Sequence, residues 1–153
     1  GLYSGTGGAA VGGRNLKFPP IAISVASYDA KDIDFISNKS LEIIEQIVQS
    51  KNIFQGKVIN INFPDIREDE YKGIQATTIS RRDIPARPIK LESESASVDS
   101  YKYRYNLSGE PIKEYSFVTD AEAIKNGYVS FSVLDYSLNS ENFIHEVTEL
   151  INE

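Results

Sequence analysis

Ile21-Ala-Ile-Ser-Val-Ala26 and Val58-Ile-Asn-Ile-Asn-Phe63 decide the fold. The first is short and mostly apolar, the kind of strand that a parallel sheet buries on both faces. The second alternates Val/Ile/Phe-type residues with Asn60 and Asn62, and Pro64 ends it. Between them, Asp32 or Asp34 opens a helix running to about Ser50, with Ile36, Ile43, Ile44, Ile47 and Val48 on one face. Ahead of them, residues 4–16 read as a glycine-rich helix start. Ser4 or Thr6 can cap it, and Ala9, Ala10, Val11 and Leu16 supply its apolar positions. Phe18-Pro19-Pro20 breaks this element. Residues 4–63 therefore run helix, strand, helix, strand, which is the rhythm of an α/β layered fold.

Beyond Phe63 the character changes. Gly73 to Ile79 reads as a strand, and residues 86–118 carry β-branched and aromatic residues with a turn candidate at Asn106-Leu-Ser-Gly109. That segment reads as an extended arm or hairpin. Gly127 to Leu138 alternates through Val129, Phe131 and Val133, a strand, after which Asn139 or Ser140 caps a last helix with Phe143, Ile144, Val147, Leu150 and Ile151 on one side. Tyr101, Tyr103, Tyr105, Tyr115 and Phe117 alternate in a stretch with little local apolar company. A lone hairpin is marginal in water, so this arm and the last helix are expected to pack on another subunit.

With 153 residues, 41% hydrophobic and 25% charged, the chain is one domain's worth of globular sequence. The net charge of -6 argues against a grip on a nucleic-acid duplex, which needs a basic face. It leaves a small phosphorylated ligand open, because a pocket can be locally positive. Without cysteine there is no disulfide, thiolate nucleophile or Cys-based zinc site. No apolar run approaches the ~20 residues of a membrane span and no signal-peptide pattern is present, so a soluble cytoplasmic protein is expected.

Tyr3-Ser4-Gly5-Thr6-Gly7-Gly8 is the dense site-like cluster, and six of the ten glycines lie in residues 1–13. Hydroxyls and bare N–H groups at a helix N-terminus favour an anion. The alternative is an ordinary Ser/Thr cap on a glycine-rich connector. The cluster is not a P-loop, since no Gly-Lys-Ser/Thr follows. His145, the single histidine, shares the polar side of the last helix with Glu141, Thr148, Glu149 and Asn152, so it reads as a surface residue. Asp29, Asp32 and Asp34 have a spacing that could hold a cation, although a helix start accounts for them. Glu68-Asp69-Glu70 reads as a solvated loop and Glu92/Glu94 as an exposed strand face. Arg81-Arg82 reads as a surface salt bridge in preference to a phosphate contact.

Taken in order, Tyr3-Ser4-Gly5-Thr6, Ala9-Ala10, Gly13-Arg14, Leu16, Phe18-Pro19 and Ile21-Ala22-Ile23-Ser24 resemble the SurE family of metal-dependent nucleotidases. So do Asn60-Ile61-Asn62-Phe63-Pro64-Asp65 with Lys72-Gly73-Ile74 and Thr77, and Thr119-Asp120 with Gly127-Tyr128-Val129-Ser130 and Leu134. The resemblance spans nearly the whole chain, with 83–118 matching poorly. It implies a Rossmann-like three-layer α/β/α core, present in part, with a protruding β-hairpin and a C-terminal strand-helix arm. It implies hydrolysis of nucleoside 5'/3'-monophosphates, or another small phosphate ester, with Mg²⁺ or Mn²⁺. Ser4, Gly5 and Thr6 would cradle the phosphate, and the protein would be a homodimer or tetramer.

The family's metal ligands are two adjacent Asp, a Ser and an Asn ahead of the Ser-Gly-Thr turn. None is present here, and the nearest look-alike, Asp65, falls elsewhere in the order. Opening without methionine on what reads as a working turn, the chain is expected to be the C-terminal part of a longer enzyme, inactive by itself. The expected division is 1–82 for the core, 83–118 for the hairpin arm and 119–153 for a strand plus oligomerisation helix. The rival expectation is a non-catalytic oligomerisation or binding module.

Overall fold

The computed structural model describes residues 5–81, 87–91, 102–104, 116–136 and 143–152. Their order is α1 (Gly5–Gly12), β1 (Ile21–Val25), α2 (Ile33–Gln49), β2 (Lys57–Phe63), β3 (Ile74–Ala76), β4 (Ile89–Leu91), β5 (Lys102–Arg104), α3 (Asp120–Lys125), β6 (Val129–Asp135) and α4 (Ile144–Asn152). A four-stranded sheet runs β1-β2-β6-β3, and β4 pairs with β5 separately.

α2 forms where its caps and apolar stripe agree. Asp32 is the N-cap, its carboxylate accepting from Phe35 N–H at 3.0 Å, and the Ser50 N–H closes the other end on Gln46 and Ile47 carbonyls. Phe35, Ile36, Ile43 and Ile47 are buried. The expected stripe was one residue too wide, since Val48 is exposed, and it missed Phe35. On the exposed flank of α2, the Glu42 carboxylate hydrogen-bonded to Lys39 raises the pKa of that ammonium.

The sheet mixes directions. β1 and β2 are parallel, β6 runs antiparallel to β2, and β3 is parallel to β6. β6 thus enters between β2 and β3, although it lies far from both in sequence. Tyr128 N–H bonds the Ala123 carbonyl and Gly127 N–H the Ile124 carbonyl, with Gly127 at φ 84°. This is a Schellman end to α3, and it needs the left-handed conformation glycine allows. It turns the chain from α3 directly into β6.

Register sorts the side chains. Ile21, Ile23 and Val25 pair with Ile59, Ile61 and Phe63, and Ile59 and Ile61 pair with Val133 and Phe131. These point to one face, where α2 covers all but the exposed Val133 and the main core forms with Phe35, Ile36, Ile43 and Ile47. Ala22, Val58 and Leu134 point to the other, where Ala10 and Val11 of α1 and Tyr136 pack on them. With a helix on each face, the core is an α/β/α sandwich, as expected.

Several sequence expectations change in detail. The helix expected over 4–16 stops at Gly12, turns follow through Leu16, and Leu16 is exposed. The glycine-rich stretch has too little helix propensity to continue without packing. A Cβ at Gly5, Gly8 or Gly12 would meet nothing within 4 Å, so close approach to another described residue does not explain them. Gly13 is different, since a Cβ there would lie 3.2 Å from Pro20. The strand expected over Gly73 to Ile79 is Ile74–Ala76, continued by Thr77 N–H bonding the Phe131 carbonyl and Thr78 N–H bonding the Val118 carbonyl. The arm contains the antiparallel β4–β5 pair, with Lys90 opposite Tyr103. Asn106 to Gly109, Tyr101, Tyr105, Tyr115, Asn139 and Ser140 lie outside the described residues.

Candidate functional site

The face that α1 covers is apolar only at one end. There Ala22, Val58 and Leu134 meet Ala10 and Val11. Further along β1 and β2 the same face carries Ser24, Asn60 and Asn62, and β6 contributes Ser132 opposite Asn60 and Ser130 opposite Asn62. A strand enclosed between two helical layers should be apolar on both sides. Two asparagines at alternate positions of β2 therefore mark where the helical cover ends.

A cleft of about 160 Å³ opens there. Its walls are Thr6 and Gly7 from the first turn of α1, Ser24, Asn60 and Asn62 from the sheet, and Ile79, Asp120, Leu134 and Tyr136 from the far side. α1 crosses β1 so that Thr6 lies beside Ser24, towards the strand's C-terminal end, while Ala10 packs lower down with Ala22. Ligands of open α/β sheets bind outside the carboxyl ends of the parallel strands. The start of α1 also presents the positive end of its dipole.

Polar groups around the cleft divide into spent and unspent. Thr77 Oγ1 bonds Ser130 Oγ at 2.9 Å and Ser132 Oγ at 2.8 Å, so the two buried serines are satisfied within the protein. Asp120 is pinned through one oxygen, Oδ1, which accepts from Ser80 N–H and Ala121 N–H, each at 2.8 Å. Among the described residues, the side chains of Ser24, Asn60 and Asn62 and the second Asp120 oxygen have no hydrogen-bond partner. No buried side-chain polar atom among the described residues is left unsatisfied, so these unspent groups face open space.

Of the residues singled out from sequence, Gly5 and Thr6 lie in the first turn of α1 and Ser4 lies outside the described residues. Asp32 caps α2, and its second oxygen accepts from Glu68 N–H at 3.3 Å. Asp65 accepts from Lys31 N–H, Asp29 and Asp34 are exposed, and Glu70 accepts from Arg67 N–H. His145 is exposed on α4 and Arg81 is exposed near the cleft's outer rim. Arg82, Glu92 and Glu94 lie outside the described residues. Sequence reasoning named Asn60, Asn62 and Asp120 only as parts of matched motifs, not as site residues. The signal that could have found the two asparagines was the polar alternation in a strand of a covered sheet; Asp120, at the start of α3, carried no such signal.

The resemblance brings a divalent cation into question. Among the described residues, Asp120 is the one carboxylate on the cleft, and no three His, Cys, Asp or Glu come together to hold a metal ion. A Mg²⁺ or Ca²⁺ cage needs several oxygen ligands held together, usually with carboxylates. The described residues do not by themselves fit such an ion.

Comparison with known proteins gives consistent matches. The family model described as "Survival protein SurE" matches residues 1–86. A "5'-nucleotidase SurE" of Vesicomyosocius okutanii is 32% identical over 154 residues, covering 99% of this chain and 58% of the relative. A "5'/3'-nucleotidase SurE" of Yersinia pseudotuberculosis is 31% identical over 141 residues, covering 91% of this chain and 52% of the relative. The crystal structure of the SurE protein from Aquifex aeolicus superposes with a TM-score of 0.73 at 26% identity, over 98% of this chain and 58% of that one. The chain thus spans rather more than half the length of these proteins.

Proposed function

The chain belongs to the SurE family, and from that membership we propose that it forms the substrate-holding part of a nucleotidase, a hydrolase of nucleoside 5'/3'-monophosphates. The observation that carries this reading is the cleft at the first turn of α1, lined by unspent polar groups beside the carboxyl ends of two parallel strands. Gly5 and Thr6, with Ser4 ahead of them, hold the phosphate by N–H and hydroxyl donors at the positive end of the helix. The relatives' names supply the substrate class.

The reading assigns binding and orientation to these residues, not turnover. The divalent cation of the family, Mg²⁺ or Mn²⁺, needs ligands beyond the described residues, because the donor set here does not fit it. The 153-residue chain alone is therefore expected to bind phosphate without hydrolysing its esters. Two measurements test this. Inorganic phosphate should shift the backbone amide resonances of Gly5 and Thr6, and the absence of any shift would remove the phosphate site. Hydrolysis of a nucleoside monophosphate by the pure chain, abolished by chelation, would show that the cation's ligands lie within it.

A subunit contact belongs to the same proposal. α4, with Phe143 just ahead of it, presents Ile144, Val147, Leu150 and Ile151; all five are at least half exposed, and no residue of α4 is buried. So continuous an apolar stripe needs a cover, which supports a homodimer or tetramer. Sedimentation showing a stable monomer at micromolar concentration would oppose it. No helix among the described residues is long and apolar enough to cross a membrane.

A further inference from the structure

Building on α1 as the phosphate cradle, we infer that the adjoining cleft holds the sugar of the phosphate ester, with Asp120 accepting a sugar hydroxyl and the amides of Asn60 and Asn62 bonding its neighbours. The contents of the cleft point there. A carboxylate in its wall repels a phosphate, so the body of the cleft suits a neutral group. That group must donate to Asp120, whose Oδ1 is saturated by Ser80 and Ala121 while the other oxygen has no described partner. It must also both donate and accept, because each carboxamide offers two N–H donors and a carbonyl.

Vicinal hydroxyls meet these demands on adjacent atoms. Ile79 and Leu134 add an apolar patch to the wall, which suits the C–H face of a ring. At about 160 Å³ the cleft falls below the ~300 Å³ at which whole drug-sized ligands begin to fit, so it takes one small ring of a larger molecule. The two bonds to Oδ1 fix the direction of the second oxygen before any ligand arrives, which keeps its ordering cost low.

The test titrates the 153-residue chain with adenosine, adenosine 5'-monophosphate, its 2',3'-dideoxy analogue and inorganic phosphate. A site that hydrogen-bonds a hydroxyl through a charged group should favour the ribonucleotide over the dideoxy analogue about 10- to 100-fold. Asp120→Asn retains the oxygen that the Ser80 and Ala121 N–H groups reach. It should lose most of that discrimination, and weaken adenosine about as much, while leaving inorganic phosphate unchanged. Asn62→Leu should weaken the ribonucleotide and adenosine while leaving the dideoxy analogue and inorganic phosphate unchanged, and serves as the second variant. Equal affinity for both nucleotides in the unaltered chain, or full discrimination in Asp120→Asn, overturns the inference. If adenosine binds in an Asp120-dependent way while inorganic phosphate leaves Gly5 and Thr6 undisturbed, the phosphate cradle fails and the sugar site stands. If inorganic phosphate shifts those residues and adenosine does not bind, the sugar site fails alone.

Discussion

Ile59, Ile61 and Phe63 point to one side of β2 and Asn60 and Asn62 to the other, and the sheet's two sides are covered differently. On the first, α2 lays Phe35, Ile36, Ile43 and Ile47 over the strands and keeps Ile59, Ile61 and Phe63 from water. On the second, α1 covers Ala22 and Val58 and then ends, leaving Ser24 and the two amides open to a cleft. Adjacent residues of one strand therefore divide the work. The dry side holds the sheet together, and the open side keeps polar groups that the fold itself does not consume.

That division predicts its largest effect on the dry side. Phe63 and Ile61 are at most 1% exposed in the middle of the core. Phe63→Ala is expected to cost about 3–5 kcal/mol and Ile61→Ala about 2–5 kcal/mol, the range for a truncated core residue and the cavity it leaves. Urea unfolding followed by far-UV circular dichroism would measure both. A loss below about 1 kcal/mol for Phe63→Ala would mean that α2 does not seal this side and would break the comparison.

The next effect lies at the border, where polar groups on the open side are nonetheless buried. Thr77→Val keeps the shape but removes the hydroxyl that bonds Ser130 and Ser132. Two buried hydroxyls then lose their partner, which is expected to cost about 1–3 kcal/mol. Adding Ser130→Ala and Ser132→Ala to that variant should recover much of the loss, because no polar group is then left stranded. If the triple variant is less stable than Thr77→Val alone, the hydroxyls contribute more than mutual satisfaction.

Smaller again is the cap that seats the covering helix. Asp32→Ala removes the bond to Phe35 N–H and should cost about 1 kcal/mol. Asp32→Asn, still able to accept that bond, should lose much less. Equal losses in the two variants would shift the cause from the cap to the contact with Glu68 N–H.

The dry side was the more legible in sequence, and the reason is physical. Helix periodicity and an Asp start located α2 to within a residue at each end, because caps and apolar stripe there agree. Strand positions followed from β-branched runs opened by Gly56, Gly73 or Gly127 and, for β2, ended by Pro64. The order of strands did not follow, because β6 pairs with β2 about 70 residues earlier and local pattern carries no information about that partner. The open side was legible only as a family resemblance. Ser24, Asn60 and Asp120 are far apart in the chain and meet only once the sheet and α3 are assembled. The extent of α1 was misread because Leu16 looked like part of its apolar pattern, whereas the glycines end the helix a turn earlier.

The smallest stability effect belongs to the open side, and it sharpens the comparison most. Asn62 is half-buried in β2, one residue from Phe63, and its amide has no described partner. Replacing it with valine strands no hydrogen bond in the protein and places a β-branched residue where strands favour one. The expected stability change is within about 0.5 kcal/mol of zero, as for a substitution away from any packed feature. Ligand binding should respond differently, with adenosine 5'-monophosphate weakened about tenfold or more through the loss of a polar contact. Neutral stability with weakened binding at Asn62, beside a large stability loss at Phe63, would show that neighbouring residues of β2 serve the ligand and the core separately. A loss at Asn62→Val approaching that of Phe63→Ala would show instead that the amide is consumed by the fold, and the open side would then have no unspent group on its central strand but Asn60.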